Sequence, residues 1–158
     1  MHRLFGRRGT IIFEIVARWH AEHANYSRLL DVLERQLAAF QDEERPDFEL
    51  MGSIVAYLRE FPDRYHHPRE DVAYERLLER DPQLRLPINR LLQEHRAIAA
   101  AGDDLLSRLS DAVAGLLVSR AAVESAVALY TAYFRHHLAT EERVILPRAA
   151  RLLTAEDW

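Results

Sequence analysis

Seven of the eight histidines in this 158-residue chain fall in four clusters: His20 with His23, His66 with His67, His95 alone, and His136 with His137. Each cluster sits in a different stretch of helical character. His95 follows His23 by 72 residues and His137 follows His66 by 71, so the pattern nearly repeats. A glutamate immediately precedes His23 and His95 (Glu22 and Glu94), and another follows His66 and His137 four residues on (Glu70 and Glu141). Independent placement would not set imidazoles at matching heights on four helices. A polar site shared by four helices would, and that restricts the fold to one in which they face a common interior.

The chain is long enough to bury such an interior in a single domain over residues 1–158, with its core from about 11 to 147. Its longest apolar runs, such as the segment AVAGLLV, are too short to cross a bilayer. The N-terminus is basic and then apolar, but Glu14 and Arg18 interrupt the apolar stretch, so no signal peptide is expected. There are no cysteines, which removes disulfides, thiol catalysis and thiolate-ligated clusters and points to the cytoplasm. A net charge of −4 disfavours nucleic acid as a partner, since neutralising phosphates needs a basic face.

Only five glycines are present, and long stretches are built from Ala, Leu, Arg and Glu, all strong helix formers. A first helix is expected from just after Thr10 to near Phe40, with Ile12, Val16, Trp19, His23, Tyr26, Leu30, Leu33 and Leu37 on one stripe. Gln41–Pro46 reads as a loop. A second helix runs from about Asp47 to Glu79, kinked or broken between Phe61 and Pro68 because Pro62 and Pro68 each remove a backbone donor. A third begins around Pro87, with Leu91, His95, Ile98, Gly102, Leu105 and Leu109 inward. A fourth begins near Ser119 with Tyr130, Phe134, His137, Glu141, Val144 and Ile145 inward, and Pro147 ends or kinks it. Thr154–Asp157 reads as the start of another short helix. The fold class is therefore all-α: an antiparallel up-down-up-down four-helix bundle with a short C-terminal helical extension.

Imidazole and carboxylate at i and i+4 lie one above the other on a helix. The pairs His66/Glu70 and His137/Glu141, with one histidine from each remaining helix, give four nitrogens and two carboxylates. That ligation suits two iron or manganese ions, and it leaves open positions for a small molecule. His67/Asp71 has the same spacing as His66/Glu70 and is its alternative; Glu142 is the reserve carboxylate. His20 reads as a seventh ligand, an outer partner or a rim residue, and His136 as rim or surface. Glu22, Glu94 and Asp71 read as solvated charges, with orientation of a neighbouring side chain as the other role for the two glutamates. Tyr26, Tyr65, Tyr130 and Tyr133 fall near the site, with core packing their default role.

With Glu22-His23, His66-x-x-x-Glu70, Glu94-His95 and His137-x-x-x-Glu141 in this order and spacing, the chain resembles the hemerythrin-like, or HHE cation-binding, family from roughly Ile15 to Pro147. The resemblance implies a non-haem di-iron centre in a four-helix bundle, with His23, His66, Glu70, His95, His137 and Glu141 as ligands. It implies binding of O2 or NO, for sensing, scavenging or buffering. The alternatives are an enzyme that reduces NO or a peroxide, iron storage, or iron delivery for repair of iron centres; manganese or zinc are the alternative metals. The chain departs from the oxygen carriers at position 99, where they have a second histidine and this chain has Ala99. The carriers also take their last carboxylate at i+5, which is Glu142 here. It departs from the repair proteins in lacking their cysteine-bearing N-terminal domain.

Overall fold

The computed structural model describes the backbone of residues 2–41 and 46–157 and the side chains of 13–39 and 46–157. Ile12, and residues 42–45 of the expected loop, lie outside the described side chains. Helix α1 spans His2–Gln41, a start well before Thr10. The second rod is α2 (Phe48–Phe61), a π-turn at Pro62–His66, and α3 (His67–Arg80). A 3-10 turn at Pro82–Leu84 leads into α4 (Arg85–Val113), which begins slightly earlier than Pro87. The fourth rod is α5 (Arg120–Thr140), a second π-turn at Glu141–Ile145, and α6 (Leu146–Leu152).

Local chemistry sets these boundaries. The Asp47 carboxylate accepts from the Leu50 N–H at 2.9 Å, satisfying one of the free donors at the start of α2. Ser119 occupies the matching position before α5, but its hydroxyl makes no capping bond. Gly115, at φ +76°, turns the chain out of α4 in a conformation that strains any residue with a Cβ.

The two π-turns have a common cause. Pro68 and Pro147 each follow the residue whose N–H closes a five-residue turn, His67 onto Pro62 and Leu146 onto Glu141. A proline cannot donate to the i−4 carbonyl and its ring collides with it, and the widened turn relieves that conflict. The kink expected between Phe61 and Pro68 is thus a π-turn that keeps the rod continuous. The second π-turn shifts the register of the last rod: Val144, expected inward, is exposed, while Ile145, Leu146 and Ala149 are buried. Beyond α6, Thr154–Asp157 forms a tight turn and not a new helix; the Asp157 carboxylate accepts from the Thr154 N–H and hydroxyl and from Arg80.

The interior has two apolar clusters with a polar layer between them. One contains Tyr26, Leu30, Leu33, Met51, Leu58, Ile98, Leu105, Val127, Tyr130 and Phe134. The other contains Trp19, Ala73, Tyr74, Leu77, Ile88, Leu91, Ile145 and Leu146. Along α1 the chain passes from Trp19 through His23 to Tyr26; along the second rod it passes from Leu58 through His66, His67 and Glu70 to Ala73. On α4 it runs from Leu91 through His95 to Ile98, and on the last rod from Phe134 through His137 and Glu141 to Ile145. The order of the clusters reverses at each rod, which is the antiparallel up-down-up-down topology. Each rod crosses the polar layer at the same level. Among the described residues no helix is long and apolar enough to cross a membrane.

Candidate metal centre

His23, His66, Glu70, His95, His137 and Glu141 all point into this layer and are buried, the two glutamates completely. His23 Nε2 lies 2.8 Å from His66 Nε2. Glu70 Oε1 is 3.0 Å from His66 Nε2 and 3.4 Å from His23 Nε2, and its other oxygen is 3.7 Å from His95 Nε2. Glu141 Oε1 is 3.1 Å from His137 Nε2 and 3.9 Å from His95 Nε2, and its Oε2 is 3.5 Å from His23 Nε2. Tyr74 donates its hydroxyl to Glu141 Oε1.

The structure adds His67 to this set. The π-turn just before it lets two consecutive histidines share the buried face, where a regular α-helix would hold them about 100° apart. His66 and His67 are therefore not alternatives. Asp71, the other half of the alternative pair, stays outside with an oxygen 3.0 Å from His95 Nδ1. Two groups of donors, each within 4.8 Å, result: His23, His66 and Glu70, and His67, Glu70, His95 and His137. Glu70 belongs to both.

Behind the imidazoles stands a second layer of carboxylates. His23 Nδ1–H donates to Glu142 at 2.7 Å, His66 Nδ1–H to Glu22 at 2.5 Å and His137 Nδ1–H to Glu94 at 3.3 Å. Asp63 lies 3.1 Å from His67 Nδ1 at a less favourable angle, as Asp71 does from His95. A proton committed to Nδ1 leaves the lone pair on Nε2, pointing at the centre. Glu22 and Glu94 are thus partners of histidines on neighbouring helices, and their placement as solvated charges is corrected. Glu142 is also an outer partner; it accepts from His20 at 2.6 Å with its second oxygen, which puts His20 at the rim beyond it. His136, at 3.2 Å from the free oxygen of Glu94, is exposed.

The electrostatics of this layer call for a cation. With both Nδ1–H groups donated, His23 and His66 present two lone pairs to each other at 2.8 Å, which requires a proton or a metal ion between them. Both oxygens of Glu70, Glu141 Oε2 and the Nε2 atoms of His67, His95 and His137 are buried without a hydrogen bond. Such orphaned polar atoms are costly, and convergent N and O donors are what a divalent ion takes up. The residues therefore fit a metal site.

The protonation pattern agrees. Burial opposes charge on His23, but the carboxylates of Glu142, Glu70 and Glu141 outweigh it and raise its pKa to about 9. Burial likewise opposes charge on His137, and Glu141, Glu94 and Glu70 raise it to about 10. His67, desolvated and beside the positive His95, falls to about 3 and stays neutral. Glu141 is buried, yet His137, His95 and His23 hold it ionised, well below the usual carboxylate range. Burial and Glu141 push Tyr74 well up, so it remains a donor.

Asp63 and Tyr74 are positions at the layer that the sequence pattern did not single out, and His67 entered it only as the alternative to His66. Tyr74 carried a signal: it lies four residues after Glu70 and so on the same face. Of the tyrosines named above, Tyr26 packs its ring 5.3 Å from that of His66, and Tyr130 packs on Phe134 with its hydroxyl unbonded. Tyr65 and Tyr133 are exposed.

No curated protein and no solved structure matches the chain. The sequence profile of the Hemerythrin HHE cation binding domain matches residues 14–149, a span that contains every donor described above. The chain belongs to the hemerythrin HHE cation-binding family.

Proposed function

We propose that this chain is a non-haem di-iron protein that binds O2 or NO inside the bundle. The observation that carries the reading is the pair of donor groups sharing Glu70, with Glu141 reaching toward His23 on one side and His95 and His137 on the other. One ion would take His23 and His66, the other His67, His95 and His137, with Glu70 and Glu141 common to both. Imidazole and carboxylate donors suit iron, and manganese or zinc would satisfy the same set less selectively. A bound iron pair supplies reversible coordination of a diatomic molecule.

The remaining chemistry belongs to the chain. Glu22, Glu142 and Glu94 hold a proton on Nδ1 of His66, His23 and His137, so that Nε2 is the nitrogen turned to the centre and the proton lost on metal binding leaves from there. Tyr74 fixes one oxygen of Glu141. The apolar clusters above and below exclude bulk water.

The test is anaerobic reconstitution with ferrous iron, metal analysis, and ultraviolet–visible spectra before and after O2 or NO. About two irons per chain, with ferric charge-transfer bands that vanish in His23→Ala and His137→Ala, are expected from this ligand set. A colourless protein that retains only zinc would sink the reading. Sustained consumption of NO or peroxide under reductant would redirect it to an enzyme, and uptake far beyond two irons to storage.

A further inference from the structure

An opening reaches the donors where the second rod meets α4. It is a cavity of about 180 Å3 bounded by Asp63, His67 and Asp71 on one side and by His95, Arg96 and Ala99 on the other. Ala99, one turn beyond His95, contributes only a methyl group there. Two carboxylates, two imidazoles and a guanidinium reach its lining, and its volume is enough to admit several waters.

The groups behind its mouth form a line of decreasing exposure. The Asp71 side chain is 46% exposed and lies 3.0 Å from His95 Nδ1; the His95 side chain is 10% exposed; its Nε2 lies 3.7 Å from Glu70, which is 0% exposed. His67, more than nine-tenths buried, also lines the cavity and has an Nε2 with no hydrogen bond. Every step on this line is a carboxylate or an imidazole, the two side-chain classes that hold divalent cations. A wider groove of about 510 Å3 between α1 and α5 meets the buried donors only at His23. There Glu142 spans His20 and His23 with its two oxygens and closes the way.

We propose that the cavity beside Ala99 is the route by which a hydrated divalent cation reaches the centre, passing from Asp71 to His95 and then to the shared carboxylates. Because this route presupposes the cation site proposed above, loading rate and end-point are measured together. Metal-free protein is mixed with cobalt(II) in a stopped-flow spectrometer, which follows the visible absorbance of the bound ion, and equilibrium dialysis gives the final cobalt content. Ala99→Leu narrows the cavity beside His95; it is expected to slow loading about tenfold or more while reaching the parent's end-point, because a constricted gap hinders a hydrated ion. Ala139→Leu, in the wider groove, is expected to load within about twofold of the parent on the same packing argument. Arg96→Glu needs no repacking and is expected to speed loading about threefold at low ionic strength, an advantage that salt removes. Parent rates in both Ala99→Leu and Arg96→Glu, or equal slowing by Ala139→Leu, would overturn the route and leave the centre standing. A parent protein that takes up no cobalt would overturn the centre, and the route with it.

Discussion

His67 lies flat against His95, ring centroids 4.1 Å apart and planes 13° from parallel, so a residue of the second rod supplies an imidazole beside the single histidine of α4. Two features of the chain make this possible. The π-turn at Pro62–His66 rotates His67 inward, and Ala99 leaves the flank of His95 uncrowded. The stacked pair is also held from outside, His67 by Asp63, which Arg59 clamps, and His95 by Asp71. Two adjacent rings, both with Nε2 unbonded and buried, do not repay their desolvation by stacking alone.

His67→Ala is therefore expected to lower the metal content from about two ions per chain toward one, since it removes one of three imidazoles from a single position. The fold should survive, because the loss is of an uncharged ring from a site with other donors. Metal analysis after anaerobic reconstitution checks it. Retention of both ions at parent affinity would mean that His67 only packs against His95.

Glu142 joins His20 and His23 through its two oxygens, and His23 is the only candidate metal donor among the described residues of α1. Glu142→Ala is expected to weaken metal binding about 10- to 100-fold, the usual effect of losing a carboxylate that orients a ligating histidine. His20→Ala, which removes only the rim partner, should cost less. Competition with a chromogenic chelator measures both. Equal effects of the two substitutions would argue that the rim, and not the orientation of His23, sets the affinity.

The pH dependence has a definite sign. In metal-free protein His23 titrates near 9 and His137 near 10, both above the 6.5 of a free imidazole. The stability that these protonated histidines contribute is complete below about pH 6.5 and is lost as pH rises through 9 and 10. Metal needs their Nε2 atoms bare, so loading between pH 7 and 8 should release about two protons per chain and affinity should rise with pH. Melting curves of metal-free protein from pH 6 to 10.5, with calorimetric loading in buffers of different ionisation enthalpy, test the pair of statements. A melting temperature that climbs across that range, or proton-neutral loading, would contradict them.

The bundle and its polar layer were legible because they rest on spacing: the 72- and 71-residue offsets survive any small error in helix boundaries. The six donors named from that spacing converge in the structure for the same reason. What the sequence hid lies within two or three turns of a proline. Helical periodicity assumes about 3.6 residues per turn, and each π-turn inserts one residue against it. That is why His66 and His67 looked like alternatives, why Val144 was placed inward, and why Glu142 stood only as a reserve carboxylate. Glu22 and Glu94 were obscured differently. Each bonds a histidine on a neighbouring helix, and no spacing rule within one helix reports such a contact.

Tyr74 offers a separate test of the layer, because it is buried, stays protonated, and donates to a carboxylate that has no freedom to find water. Tyr74→Phe keeps the ring and its packing in the apolar cluster with Leu77 and Leu91, and removes only the donor. Glu141 Oε1 then loses the hydrogen bond it accepts from Tyr74, and leaving a buried carboxylate oxygen unsatisfied costs at least about 1–3 kcal/mol. In metal-free protein that loss should appear in full as a lower denaturation midpoint. In metal-loaded protein it should shrink, since an ion held by Glu141 would supply the missing positive partner, whereas the stabilisation that binding gives to parent and variant alike cancels from the difference. Urea denaturation of both forms, parent and Tyr74→Phe, measures the difference between the two losses. An equal loss in loaded and metal-free protein would mean that the metal does not reach Glu141, and the shared-carboxylate arrangement would have to be given up.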